Sequence, residues 1–221
     1  MKKIFPLWAF VAMMCTFTAC LNDDNDEYFS MAMGTLLKEN QQYYIDFDGN
    51  TGSYNVPDSS VIVLRKLQKP GQRVIAMYNV ISSGGRESAR GSIKLRDIFA
   101  VLTKPFDACP TTPEEDKKLG NDVVSVSDAW IAGGCLNVKF SVPMGYEEKN
   151  PHKLSAFDSG LVDEEGYRII EFRHNLNGNG KVYWSAFDYV AFTLPEYDVK
   201  PKGYKLRFQY SENEKRTIKV N

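Results

Sequence analysis

Leu136-Asn137-Val138-Lys139-Phe140-Ser141-Val142 is the stretch that decides the fold class. Apolar residues at 136, 138, 140 and 142 alternate with polar ones at 137, 139 and 141. An extended chain therefore puts four large side chains on one face and wets the other. The pattern recurs on both sides. Tyr204, Leu206, Phe208 and Tyr210 alternate with Lys205, Arg207 and Gln209, and Val74, Ala76, Tyr78 and Val80 recur at period two. Further strands are expected at 43–47, 61–64, 98–102, 167–172, 181–194 and 217–220. Short strands punctuated by Gly, Asn and Pro indicate an all-β protein of sandwich or barrel type.

Asn177-Gly178-Asn179-Gly180 is a hairpin signal, since Gly and Asn tolerate the positive φ of tight turns, and Asp48-Gly49-Asn50 is another turn signal. One short helix is expected at 112–119. Thr112 can cap it, Pro113 suits its first turn, and Glu115 stands at the capping-box position. Glu114, Glu115 and Asp116 face the positive helix end, Lys117 and Lys118 the negative end, and Gly120 can stop it. This segment is the natural boundary between two β-domains.

The 221 residues are 43% hydrophobic and 25% charged, with 27 Lys and Arg against 28 Asp and Glu. That balance excludes a wholly disordered chain, a collagen-like fibre, a multi-span membrane protein and a strongly basic nucleic-acid binder. Single-strand binders need a positive groove with interleaved aromatics, so no nucleic acid is expected as a partner.

Several stretches carry a family resemblance. Gly71-Gln72-Arg73-Val74, then 98–104 (Ile-Phe-Ala-Val-Leu-Thr-Lys), then Leu119-Gly120-Asn121-Asp122, resemble the first half of NigD-like lipoproteins. Asp128-Ala129-Trp130-Ile131 and 135–140 (Cys-Leu-Asn-Val-Lys-Phe) resemble the start of their second half, and Glu171-Phe172-Arg173-His174-Asn175 with Asn177-Gly178 is similar to a later hairpin. The resemblance runs over roughly 43–210. It implies a small N-terminal OB-like barrel followed by a C-terminal β-sandwich, on an outer-membrane lipoprotein of Bacteroidota. The family takes its name from a bacteriocin cluster, so a role in immunity is one form of what is implied. Cys135 departs from it, standing where Tyr or a similar residue is expected.

The N-terminus reads as an address. Lys2 and Lys3 precede an uncharged, mostly apolar stretch at 4–17, shorter than the about 20 residues a spanning helix needs and fit for a signal peptide. Phe17-Thr18-Ala19-Cys20 resembles the lipobox of bacterial lipoproteins, with Phe17 where Leu is commoner; an ordinary secretory signal containing Cys20 is the alternative. The resemblance implies removal of residues 1–19 and acylation of Cys20. Two acyl chains hold a protein on a membrane where one is marginal. Loss of Lys2 and Lys3 leaves an acidic body, so lipid and not charge must anchor it. Asp23, Asp24, Asp26 and Glu27 repel one another, as in a solvated tether. Acidic residues soon after a lipidated cysteine also resemble the surface-export signal of Bacteroidota lipoproteins, with Asp23, Asp24 and Asp26 as its working residues. The expected organisation is a signal peptide at 1–19, lipidated cysteine and tether at 20–34, barrel at 35–110, helical linker at 111–121 and sandwich at 122–221.

Cys109 and Cys135 remain once Cys15 is removed and Cys20 acylated. In an oxidising compartment they can form a disulfide, contributing roughly 3–4 kcal/mol, or stay as two separate thiols. Two cysteines and two distant histidines, His152 and His174, make no zinc spacing. No G-x-S-x-G elbow accompanies either histidine, and both read as structural or surface groups. Asp46, Asp48 and Asn50 open like a calcium loop, but Thr51 and Pro57 stand where Gly and Glu are required. Ser82-Ser83-Gly84-Gly85-Arg86 lacks the Lys-Ser ending of a phosphate loop, and 82–91 reads as a barrel loop whose Arg86 and Arg90 could meet an anion. Trp130, Trp184, Tyr183 and Tyr189 could stack on sugars, although core packing is the expectation for them. No carboxylate sits in an apolar stretch that singles it out for a glycosidase pair. The expected function is a non-enzymatic, surface-exposed binding module for an extracellular protein or glycan, membrane-bound through lipid on Cys20 and free of cofactor and metal. A periplasm-facing scaffold and a glycan hydrolase are the rivals.

Overall fold

The computed structural model describes residues 29–49, 52–83, 90–145, 150–179 and 183–221. Strands β1 (Ser30–Glu39), β2 (Gln42–Phe47), β3 (Ser53–Val56), β4 (Gln72–Ser82) and β5 (Ser92–Ala100) close a barrel in the order β1-β2-β3-β5-β4. Closure leaves no open edge. β1 makes it possible by serving two partners, pairing through Gly34–Glu39 with β2 and through Ser30–Leu36 with β4. The strand bends over its neighbour at Gly34, where a Cβ would lie 2.6 Å from the Asp46 carbonyl oxygen. Leu36, Ile45, Val56, Val74, Ala76 and Ile98 fill the interior and are fully buried.

The second unit is a sandwich of two four-stranded sheets. One has the order β6-β11-β8-β7, from β6 (Leu102–Pro105), β11 (Trp184–Thr193), β8 (Cys135–Met144) and β7 (Ser125–Ala132). The other has the order β13-β12-β10-β9, from β13 (Glu214–Lys219), β12 (Tyr204–Ser211), β10 (Arg168–Asn175) and β9 (Lys153–Val162). The alternation at 136–142 comes out as read: Leu136, Val138, Phe140 and Val142 point into the core against Phe172, Phe192 and Phe208. Each such side chain contributes about 1.5–3 kcal/mol by leaving water.

Four local expectations are corrected. Residues 61–64 form no strand but helix α1 (Ser60–Leu64), which buries Ile62 in the barrel core and leaves Val63 and Leu64 exposed. An apolar run that short carries no period to separate helix from strand. The barrel begins at Ser30, so part of the stretch assigned to the tether (20–34) is strand. The boundary placed at 110/111 falls too late, because β6 already pairs in parallel with β11 of the sandwich, Val190 opposite Leu102. Last, the turn at 177–178 has the positive φ expected, 57° at Asn177 and 81° at Gly178. It is not a hairpin, because β10 and β11 lie in different sheets.

Helix α2 (Pro113–Leu119) is capped as read, with the Glu115 N–H donating to Thr112 Oγ1 at 3.2 Å. The Glu115 carboxylate reaches back one residue further than expected, to the Thr111 N–H at 2.8 Å. The helix does not bridge free space. It leans on β10, where Arg173 meets Asp116 and the Asn175 amide donates to the Lys118 carbonyl at 3.0 Å.

A polar lock and an apolar cleft between the two domains

Period two along β4 turns Val74, Ala76 and Tyr78 into the barrel and Arg73, Ile75 and Met77 out of it. The same alternation on β8 turns Cys135, Asn137 and Lys139 away from the sandwich core. These two outward rows meet. Arg73 is 1% exposed and sits at the centre of the contact. Its guanidinium pairs with Asp48, donates to Asn137 Oδ1 at 3.1 Å and to Thr35 Oγ1 at 2.9 Å. Asp48, in the turn after β2, accepts a second bond from Trp130 Nε1 at 2.6 Å. Asn137 is fully buried and uses its amide to bond the carbonyls of Ala132 and Cys135, bracing the β7–β8 turn. Every charge in the lock has a partner from the other domain or from its own, as a buried ion pair requires.

Beside the lock lies an apolar contact of Met33, Val101, Cys135 and Ala191, with Ile75, Trp130 and Tyr189 packed against it. It opens into a cleft of about 240 Å³. One wall is Met31, Met33 and Ile75 of the barrel; the other is Asp128, Trp130, Lys139 and Tyr189 of the sandwich. Trp130 and Tyr189 meet edge to face at 6.4 Å, and the Lys139 ammonium stands 5.8 Å from the Tyr189 ring centre. Met31 remains 59% exposed at the mouth. Such a site offers apolar contact, ring faces, the Lys139 ammonium and the carboxylates of Asp48 and Asp128, which suits recognition.

The residues singled out from sequence are distributed as follows. Cys20, Asp23, Asp24 and Asp26 lie outside the described residues, as does Arg86. Cys109 and Cys135 are both free thiols. The pairing fails because Cys135 faces the barrel from the outside of one sheet. Cys109 sits in an exposed loop tied to β9 of the other sheet through the Asp107 N–H and the Ala156 carbonyl. The sandwich core lies between them, and a disulfide needs Cα atoms within about 7 Å. Burial pushes the Cys135 thiol up, against the pull of Arg73, which keeps it protonated and inert. Arg90 is occupied by Glu39 at 2.8 Å and stacks on Tyr44. Trp130 and Tyr189 line the cleft, whereas Tyr183 and Trp184, expected in the core, are 58% and 48% exposed. Among the described residues no three His, Cys, Asp or Glu side chains are grouped to hold a metal.

The two histidines, distant in sequence, touch. His174 Nδ1 lies 2.9 Å from the Val123 carbonyl, and His174 Nε2 lies 2.9 Å from His152 Nδ1. A carbonyl only accepts, so His174 carries its proton on Nδ1 and accepts at Nε2 from His152. Desolvation, as the largest cause, lowers the His174 pKa; the Val123 carbonyl opposes it. The pair is a structural pin, tying β10 to the segment before β7 and to the loop before β9.

Sequence reasoning missed Asp48 and Arg73 as partners. It also missed the Gly133-Gly134 turn, whose residues have φ of 58° and 70°, as a two-residue hairpin requires. Two glycines between Ala132 and Cys135 were the available signal. The lock itself had none, since the bonds that join it are remote in sequence: Arg73 lies 25 residues from Asp48 and 64 from Asn137, and Trp130 lies 82 from Asp48.

A family model described as the NigD-like C-terminal beta sandwich domain matches residues 107–221. That is more than half of the chain. The chain belongs to the NigD-like family. No curated protein matches it. Among solved structures, this NigD-like chain is similar to a protein named as toxin-related from Parabacteroides distasonis, at 22% identity and a TM-score of 0.67, over 87% of this chain and 92% of the other. It is also similar to a NigD-like immunity protein from Bacteroides caccae, at 15% identity and a TM-score of 0.59, over 88% and 92%. A protein named as a lipoprotein from Bacteroides fragilis matches at 8% identity and a TM-score of 0.57, over 88% and 97%. At these identities the likeness is one of fold, and it extends over both domains.

Proposed function

We propose that this NigD-like chain is a lipid-anchored outer-membrane protein facing the cell exterior, whose two β-domains form one non-enzymatic binding module. The observation that carries the reading is the interdomain cleft. A buried lock of Arg73, Asp48, Trp130 and Asn137 fixes the two domains together, and the cleft beside it leaves Met31 and Tyr189 for a ligand. A rigid frame lowers the ordering cost of binding. Anchoring rests on Cys20 and its preceding small residues, and is supported by the lipoprotein of similar fold. The ligand is an extracellular protein or glycan, and an immunity role fits the immunity protein of similar fold.

Two measurements test this. Cys20→Ala is expected to shift the protein from the membrane to the soluble fraction and to abolish labelling by radioactive palmitate. Protease added to intact cells is expected to remove the C-terminal domain while a periplasmic control survives. Survival until the outer membrane is broken would instead make the protein a periplasm-facing component, with Asp23, Asp24 and Asp26 a mere spacer.

A further inference from the structure

β11 is paired along all ten residues with β8, yet β6 covers only Val190 to Thr193 on its other side. No described strand pairs alongside residues 184–189 there. The chain path explains the gap. Upstream of β6 the backbone turns away at Val101, whose N–H donates to the Arg73 carbonyl in the barrel at 2.9 Å. The direction of the backbone groups follows from the ladder. The Leu194 N–H donates to the Gly134 carbonyl at 3.0 Å, in register with the β11–β8 pairing. Antiparallel residues alternate between exchanging both bonds with the partner and turning both groups away. Even-numbered residues of β11 therefore bond β8, and Ser185 and Phe187 turn both N–H and C=O to the open side; Tyr189 turns its N–H there, while its C=O already belongs to the first parallel pair with β6, Val190 opposite Leu102.

At that edge the Tyr189 N–H is held by the side chain of its neighbour, Asp188 Oδ1, at 2.7 Å. The side chains agree with an uncovered strand. Ser185 and Phe187 on one face, and Trp184 and Asp188 on the other, are all exposed, Phe187 to 74%. Among the described residues, neither the barrel nor the opposite sheet closes over residues 184–188, and only Tyr189 lies against the barrel contact.

We propose that residues 184–189 of β11 are a strand-addition site for an extended segment of a partner protein, which continues the line of β6. This rests on the binding-module reading and names its partner class. Main-chain bonds to both groups of Ser185 and Phe187 and to the Tyr189 N–H supply affinity, and alternate side chains supply specificity. An apolar residue packs on Phe187. Once the incoming strand takes the Tyr189 N–H, the Asp188 carboxylate is released and selects a Lys or Arg opposite it. The protein's own residues 23–27 are a poor occupant: Asp, Asn and Glu are depleted in strands, and they repel Asp188. A second folded copy is disfavoured too, since stable pairs bury about 1,200–2,000 Å², more than six residues of strand edge present.

The test uses the full-length protein in mild detergent and fluorescein-labelled ten-residue peptides of alternating Val and Thr, with one Lys or Glu placed at each position in turn. Fluorescence anisotropy should saturate, with the best Lys peptide binding about tenfold tighter than its Glu counterpart. Asp188→Asn should erase that preference, and Phe187→Ser should weaken every peptide. N-methylation of one alternate set of peptide amides should abolish binding while the other set is tolerated. Amide exchange at 185, 187 and 189 should slow on binding. The proposal is overturned if no peptide saturates below about 1 mM, or if both N-methylated sets bind alike. It is equally overturned if the amides of Ser185 and Phe187 are already protected in the free protein, or if sedimentation finds a dimer joined through 184–189. Because the readout is on purified protein, its failure is separable from the location reported by protease treatment of cells.

Discussion

Asp48 is the residue on which most depends, because one carboxylate serves Arg73 and Trp130 at once. Removing the charge leaves the guanidinium of Arg73 buried without compensation, a change that costs about 3 kcal/mol or more. Asp48→Asn is therefore expected to lower the unfolding free energy obtained from urea titration by that amount. Trp130→Phe, which keeps the ring and loses one bond to a charged group, should cost about 1.5–3 kcal/mol. The double variant should cost less than the sum, since both changes act on the same network. His174 sets a different prediction. Its folded pKa is lowered, mainly by desolvation, so the unfolded chain binds the proton more readily. Its contribution is thus fully present above the unfolded value near pH 6.5 and is lost as pH falls below it. Urea midpoints measured from pH 7.5 to 5 should fall, and His174→Asn should flatten the slope.

At the scale of elements, the β7–β8 turn separates backbone strain from domain contact. Gly133 and Gly134 both have positive φ, but only at Gly133 would a Cβ meet the barrel, 2.6 Å from Thr35 Oγ1 and 2.7 Å from Arg73 Nη1. Gly134→Ala should cost only the left-handed strain, about 1–2 kcal/mol. Gly133→Ala should cost more in the same chemical-denaturation assay, because the turn must also back away from the barrel. Of this hairpin β8 was legible in the sequence, with the inward set at 136–142, as was α2 with its Thr112 cap; β7 was not among the expected strands, since its burial does not alternate cleanly. What defeated reading was shortness and remoteness. Residues 61–64 are too few to show a period, and β6 looked like the tail of a barrel strand because nothing local reveals its parallel partner on β11.

At the scale of the whole molecule, the lock makes two domains behave as one. Arg73 and Asp48 contribute from the barrel, and Trp130 and Asn137 from the sandwich, so neither domain keeps these groups satisfied without the other. Calorimetry of the natural sequence should give a single transition. Asp48→Asn combined with Gly133→Ala should split it in two, because domain interfaces without such coupling leave each core to melt alone.

The all-β class, the capped helix and the burial of the 136–142 face were set by the sequence itself. Each depends on residues a few positions apart, where periodicity, turn preference and charge act directly. The cleft, the free edge of β11, the contact of His152 with His174 and the separation of Cys109 from Cys135 were decided only by tertiary structure. They depend on which outward-facing rows the chain path brings together, and alternation says that a residue points out without saying what it will meet.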